Sequence, residues 1–597
     1  ILFIEEIYLR GFEQMLSANQ FQVLMALRSA PGQTQREVAA VTGMALGTVS
    51  ATLSGLKGGV EPAVDGQNKL TGRGLALLEP YRVDNAVIMA AGLSSRFAPI
   101  SYEKPKGLLS VRGEVLIERQ IRQLKEAGIN EIFLVLGYKK EEFFYLEDAF
   151  GVKIRINEEY ASRNNNSTIK CVEDVLGNTF ICSSDDYFTS NPFEPYVYRS
   201  YYAATYSEGP TAEYCFVMTG REDRVKAIEF SGCDAWELMG HAYWDRSFSK
   251  KFIEILNQEY DWPETAPKLW EDIFAAHVGE LPMVVRKYPN DAIWEFDSLD
   301  EVSAFDPTFI QNVDSGIFDN ICEILKCGRA DIAGIVPIKQ GLTNLSFKFS
   351  VLGEPYVYRH PGEGTDEIIN RESEAFSQSV AHELGLDDTF IYEDGRVGWK
   401  ISRFIEGCHT LDYHNWNEVE MAMDRARRLH GCGVSSPWSF DIYDEAQKIV
   451  RLLDERSRTT FKDFAALLSL AEGVHDMVVA DGVERCLCHN DFYDPNFLVR
   501  GDEMYLIDWE YSGMSDYASD LGTFVCCSDY GYEEAVRVYE LYFRRPLEKA
   551  EARHCVAYTA LASFYWFVWA LYKEACGDPV GEWLYLWYKN VKVFGNK

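Results

Sequence analysis

The sequence predicts a multidomain chain: a small α(+β) domain, then an α/β domain with a mainly parallel sheet, then an α+β domain of two lobes. Three observations predict it. Strand-like and helix-like segments alternate from Asn85 to about Pro307. A strand-rich stretch from Ile335 gives way to a long helical one after Glu367. The 597 residues also exceed what one core supports, since a domain takes about 100–200 residues. The expected boundaries are 1–82, 83–307, a connector over 308–334, and 335–597.

Composition narrows the function. Acidic residues outnumber basic ones by 92 to 58, a formal net charge of −34. A surface that negative repels phosphate backbones and anionic lipid, which argues against nucleic acid or a membrane as the main partner. A nucleotide substrate stays compatible, because local cations and a divalent ion reverse the field inside a cleft. The 14 cysteines are scattered, with no CxxC pair and no ligand-like Cys/His spacing, as expected of reduced thiols in a cytoplasmic protein. The best apolar run, Leu561 to Leu571, falls short of the roughly 18–20 residues that span a bilayer, and it reads as a buried helix. The opening ILFIEEIYLR lacks the basic start and cleavage site of a signal peptide.

Residues 14–80 read as short helices. Phe21, Val23, Leu24, Ala26 and Leu27 make one apolar face. Thr34 is placed to cap a second helix, Gly43 to end it, and Leu46 to Leu56 to form a third. The stretch TQREVAAVTGMALGTVSATLSGL resembles a helix-turn-helix, with Glu61 to Leu70 where a ribbon-like wing falls. A DNA reader normally shows a basic face. Here Arg28, Arg36, Lys57, Lys69 and Arg73 are balanced by Glu37, Glu61, Asp65 and Glu79. The expectation is a winged helix-turn-helix fold kept as a structural or dimerising appendage.

The first chemical centre begins at Ala90, where the chain reads AAGLSSRFAPISYEKPK. A strand ending in a small-residue loop lets backbone N–H groups at Ala91 and Gly92 approach a triphosphate closely. Arg96 and Lys106 supply positive charge where negative charge grows during attack on an α-phosphorus. The stretch resembles the nucleotidyltransferase family that makes NDP-sugars and CDP-alcohols, with Ser94 where many members have a second glycine. That resemblance implies a Rossmann-like fold and a Mg2+ ion held by Asp185 of SSDDYF and Asp297 of WEFDSLDE. Asp186 is a neighbour of Asp185 on a strand and points the other way. Asp297 also reads as a helix N-cap. Asn166, in an Asn-rich run, stands where relatives contact the base, although such runs are commonly turns. Trp270 and Glu271 in KLWED fall in a region similar to the phosphocholine site of bacterial phosphocholine cytidylyltransferases. Aromatic faces and carboxylates are what a trimethylammonium group binds.

The second centre is HNDFYDPN, from His489 to Asn496, followed after a hairpin by LIDWEY with Asp508 and Glu510. This H-x-D-x-x-x-x-N run plus an Asp resembles the catalytic loop of the protein-kinase-like superfamily, which includes choline and aminoglycoside kinases. The resemblance implies that Asp491 orients the substrate hydroxyl and accepts its proton, while Asn496 and Asp508 hold Mg2+ on ATP. Thr343 and Asn344 stand in the expected phosphate-covering loop. Arg359 takes the place of the strand lysine, and Glu374, with Glu372 as rival, that of the helix glutamate pairing with it. Trp566 and Trp569, three apart on one helix face, match the W-x-x-W of choline kinases. Tyr585 and Glu510 would complete a cage for a quaternary ammonium, though the same stripe also reads as plain aromatic core.

Together these resemblances imply a fusion of two consecutive enzymes using ATP, CTP and Mg2+. Choline is phosphorylated to phosphocholine, which CTP converts to CDP-choline and pyrophosphate. The alternatives are the same two steps on ethanolamine or a sugar, and a DNA-binding metabolite sensor. A homo-oligomer is compatible with this reading.

Overall fold

A computed structural model describes residues 15–597 apart from 95–96, 297, 339–343, 363–368, 457–460 and 577–579, and the side chains of 454–456. Arg96, Asp297 and Thr343 therefore lie outside the described residues. The chain forms two compact units, residues 1–315 and 316–597.

The first unit opens with three helices, α1 (Ala18–Ser29), α2 (Gln35–Thr42) and α3 (Leu46–Lys57). Ser17 and Thr34 each cap a helix by the reciprocal box in which a Gln or Glu three residues on returns the bond. Gly43 ends α2 at φ +69°, a left-handed conformation that costs glycine nothing. All five residues of the apolar α1 face are buried. Between Glu61 and Leu70 the backbone pairs through a single bridge, Val64 to Leu70, not a strand ribbon. The reason is local: Asp65 Oδ1 accepts from the amides of Gln67 and Lys69, each at 2.8 Å, and this turn consumes most of the segment. Phe21, Tyr81 and Tyr198 pack ring against ring, joining the helices to the following domain.

That domain is built on a seven-stranded sheet. Its strands are β1 (Asn85–Ala90), β2 (Ile132–Leu136), β3 (Lys153–Ile156), β4 (Thr179–Ser183), β6 (Tyr201–Thr219), β7 (Arg224–Trp244) and β8 (Val284–Lys287). The order is β8-β6-β7-β4-β1-β2-β3, with β1 parallel to both β2 and β4. A short pair, β5 (Asp186–Phe188) with β9 (Ile293–Glu295), lies beside it. The central strands are buried on both faces, as parallel strands covered on two sides must be, and helix α4 (Leu116–Glu126) supplies part of one cover. The strand ends of β1 and β4 thus come side by side, which positions the first site.

The second unit has a five-stranded antiparallel sheet, β10 (Ile332–Pro337), β11 (Asn344–Val351), β12 (Glu354–Pro361), β13 (Phe390–Glu393) and β14 (Lys400–Arg403), ordered β10-β11-β12-β14-β13. Helix α5 (Arg371–Glu383) belongs to this lobe. The helical lobe carries α6 (Trp416–His430), strand β15 (Cys486–Cys488), the hairpin β16 (Phe497–Arg500) with β17 (Glu503–Leu506), strand β18 (Gly513–Ser515), and helices α7 (Tyr517–Cys526), α8 (Lys549–Ala575) and α9 (Trp583–Gly595). Among the described residues α8 is one continuous helix long and apolar enough to cross a membrane, which corrects the expectation drawn from Leu561 to Leu571. Its most apolar window is 78% buried inside the protein, so the hydrophobic length serves as core.

Candidate active sites

In the first unit a cavity of about 540 Å³ opens at the ends of β1 and β4. Ala91, Gly92, Ser94, Lys106, Asn165 and Asp185 are among the residues that line it. Ser94 sits at φ +49°, a left-handed conformation that costs a residue with a Cβ roughly 1–2 kcal/mol. Close packing supports the loop: a Cβ on Gly137 would come 2.7 Å from the Ala91 carbonyl oxygen, and one on Gly107 would meet Ser184.

Lys106 reaches Asp185 with 2.5 Å between Nζ and Oδ2, both side chains largely buried. The cavity therefore sets the Lys106 cation against a carboxylate, as a phosphoryl-binding site with a metal-ligating acid requires. Asp186 starts β5 and is buried away from the cavity. Burial, then Glu295 and Asp185, push its carboxyl well above the usual range.

Asn166 is fully buried and does not line the cavity. Its amide donates to the carbonyls of Thr265 (3.0 Å), Ala266 (3.3 Å) and Lys268, tying the Asn-rich turn to the 263–268 segment. Asn164 and Asn165 face the cavity instead. Asn165 Nδ2 donates to Glu271 at 3.2 Å, and the Tyr202 hydroxyl donates to the same carboxylate at 3.1 Å. Burial lifts Glu271 to about 7 against the pull of these donors. Trp270 is core: it stacks on Tyr202 at 5.5 Å and meets Trp244 edge-on at 5.0 Å. Tyr202 was not flagged in the sequence, where a strand tyrosine carries no signal.

The second site is an ionic and hydrogen-bonded network. Arg359 on β12 contacts Glu374 on α5 at 2.5 Å and Asp508 at 3.5 Å. Glu372 is exposed, so Glu374 is the partner. Burial would raise Glu374, but Arg359, Lys400 and Arg371 outweigh it and hold the carboxyl well below its usual range. Asn344 bridges the lobe: its Nδ2 donates to Glu510 at 3.0 Å and its Oδ1 accepts from Arg371 at 3.4 Å. Burial and then Asp508 push Glu510 up to about 7.

The catalytic-loop geometry is set by neighbours. Asn496 Nδ2 donates to Asp491 Oδ2 at 2.8 Å, which leaves the amide oxygen as its remaining acceptor. Burial, then Asp508, raise Asp491 well above its usual range. His489 Nδ1 accepts the Asp491 amide at 3.3 Å, so Nε2 carries the proton and donates to the Ile507 carbonyl at 3.0 Å. This histidine braces the loop. Asp520 on α7 accepts the amides of His489 (2.9 Å) and Asn490 (2.6 Å), the latter at φ +64°.

Trp566 on α8 meets Trp569 edge-on at 5.4 Å and stacks on Trp587 of α9 at 5.6 Å. Tyr493 of the catalytic loop approaches Trp566 at 5.9 Å between ring centroids, which links the aromatic cluster to Asp491. Tyr585 does not join: it is 69% exposed. Two helical positions are about 200° apart, so the residue two along, Trp587, faces the cluster in its place.

The profile of the Choline/ethanolamine kinase family matches residues 335–559, and that of the MobA-like NTP transferase domain matches residues 86–191. The choline-phosphate cytidylyltransferase of Streptococcus pneumoniae is 33% identical over 36% of this chain and 94% of its own length. The 2-aminoethylphosphonate cytidylyltransferase of Lancefieldella rimae is 34% identical over 38% of this chain and 93% of its own length. The protein LicA of Haemophilus influenzae is 27% identical over 40% of this chain and 94% of its own length.

Proposed function

The chain belongs to the cytidylyltransferases in its first unit and carries a choline/ethanolamine kinase domain in its second, and from this premise we propose that it makes CDP-choline in two steps. The observation that carries the reading is the joint presence of the Lys106–Asp185 pair in a cavity of about 540 Å³ and the Asn496–Asp491 pair beside an aromatic cluster.

In the kinase half, Asp491 orients the choline hydroxyl and takes its proton as oxygen attacks the γ-phosphorus of ATP. Arg359, fixed by Glu374, steadies the phosphates. Asn496 and Asp508 offer the hard oxygen donors that suit Mg2+, which neutralises phosphate charge when bound. Trp566, Trp569, Trp587 and Tyr493 supply ring faces for the trimethylammonium group, and ionised Glu510 a counter-charge.

In the transferase half, a phosphocholine oxygen attacks the α-phosphorus of CTP and pyrophosphate leaves. The Ala91–Ser94 loop and Lys106, with Arg96, hold the triphosphate, and Asp185, with Asp297, fits a second Mg2+. Glu271, on the wall built with Asn165 and Tyr202, faces the cationic head group; Trp270 supports it from behind.

The N-terminal helices keep a helix-turn-helix arrangement as a structural or dimerising appendage that does not read DNA, supported by their balanced charge. Absence of salt-sensitive binding of the full chain to random duplex is the expected result. Both reactions draw on cytoplasmic nucleotide pools.

Phosphorus NMR of the full chain with ATP, CTP, Mg2+ and choline tests the proposal, with ethanolamine and 2-aminoethylphosphonate in parallel. Phosphocholine followed by CDP-choline is expected. Preferential turnover of ethanolamine would overturn the choline assignment and keep the two-step order, whereas preferential cytidylylation of 2-aminoethylphosphonate, which has no hydroxyl to phosphorylate, would overturn both.

A further inference from the structure

Behind the catalytic loop, the fold assembles a group that the sequence spacing hid. His430 at the end of α6 and the two cysteines of β15 lie far apart in the chain, yet their ligand atoms fall within 4.8 Å of one another. Cys486 and Cys488 are two apart on a strand, so both thiols project from the same face, 3.7 Å apart. The trio is set in a polar cradle. His430 Nε2 contacts Asp520 at 2.9 Å and Nδ1 contacts the Tyr542 hydroxyl at 2.9 Å.

We propose that His430, Cys486 and Cys488 form a thiolate–imidazole site for a single Zn2+ ion, separate from the catalytic centre. Three features support it. Two sulfurs and one imidazole make a donor set that zinc takes in tetrahedral sites with one position left for solvent. Cys486 is only partly buried, so an ion has a way in and a water can complete the shell. The Asp520 contact supplies the carboxylate–histidine–metal arrangement that orients a ligating imidazole. With Nε2–H donating to Asp520, Nδ1 is the nitrogen left to bind the metal.

Binding balances simply. One Zn2+ displaces the two thiol protons, which leave to solvent; two sulfur–metal bonds and one nitrogen–metal bond form, and the Tyr542 hydroxyl gives up its contact with Nδ1. The ion would sit one residue away, through Asp520, from the backbone amides of His489 and Asn490.

The test uses the reduced, chelator-stripped full chain titrated with Co2+ as a coloured stand-in for Zn2+. Thiolate-to-cobalt charge-transfer absorption saturating at one equivalent, and bleached by Zn2+, is the expected result. Cys486→Ser should weaken binding at least ~10-fold and remove most of that absorption. Replacing the exposed Cys233 and Cys576 by serine should change neither. His430→Gln, which keeps a donor toward Asp520, serves as the second variant should Cys486→Ser fold poorly. No thiolate band, or a band unchanged in both site variants, would overturn the proposal.

Discussion

Asn496 gives both of its amide hydrogens to Asp491, one to the carboxylate and one to the backbone carbonyl, each at 2.8 Å. The loop is thereby closed on itself before any substrate arrives. One carboxylate oxygen of Asp491 stays without a protein partner among the described residues. That is the atom a substrate hydroxyl would meet.

Asp491→Ala should lower the kinase kcat by about 10²–10⁴-fold, the range of positioned proton transfer. Cytidylyl transfer from supplied phosphocholine should continue unchanged. Following the two half-reactions separately by phosphorus NMR checks both parts.

Lys106→Ala removes the cation that contacts the Asp185 carboxylate and a charge on the triphosphate. A loss of about 10²–10³-fold in cytidylyl transfer is expected, comparable to losing one preorganised electrostatic donor. Kinase turnover in the same sample is the internal control.

Glu374→Gln strands Arg359, Arg371 and Lys400 around a neutral amide. Breaking one side of a buried ion network costs about 3–5 kcal/mol. Urea unfolding should show that loss, whereas the exposed neighbour variant Glu372→Gln should stay within about 0.5 kcal/mol of the parent.

Trp569→Ala should raise KM for choline about 10-fold, equivalent to about 1.4 kcal/mol of cation–π attraction, with KM for ATP unchanged. Tyr585→Ala should leave both constants alone. Steady-state kinetics with each substrate varied in turn separates the two.

Glu510 carries the pH dependence. Its folded pKa stands at about 7, above the ordinary 4.5, because burial and then Asp508 disfavour the charge. Below 7 it holds a proton in the native chain, so the counter-charge for choline is lost and KM should rise as pH falls from 8 to 6. The stability sign is opposite. Native protein binds more protons than unfolded chain between 4.5 and 7, so this group's contribution to stability declines as pH rises through that window. Glu510→Gln should flatten the KM profile.

Much of this was legible because chemistry-bearing residues cluster in short runs. The β1 loop, SSDDYF and HNDFYDPN each carry their donors within about a dozen positions, and local geometry then fixes their spacing. Residues brought in from afar were harder. The helix glutamate was open between 372 and 374 until burial chose the second. Tyr585 reads from the sequence as part of the cage, yet it is exposed and Trp587 stacks on Trp566, because closeness in the chain says nothing about which helix face turns inward. Asn166 read as a base contact, but its amide is spent on three carbonyls of a segment about 100 residues later. The wing at 61–70 shrank to one bridge because an aspartate turn outcompeted strand pairing. His430 and the cysteine pair had no sequence signal at all, since their meeting is a product of tertiary packing.

The two compact units are translated as one polypeptide, each with its own core. Their copy numbers are thus locked at one to one in every cell and at every moment. Gene dosage and promoter strength cannot rebalance the steps against each other. If the first step outpaces the second, phosphocholine accumulates and must be tolerated or exported. Any tuning of flux between them has to be written into the rate constants of the individual centres.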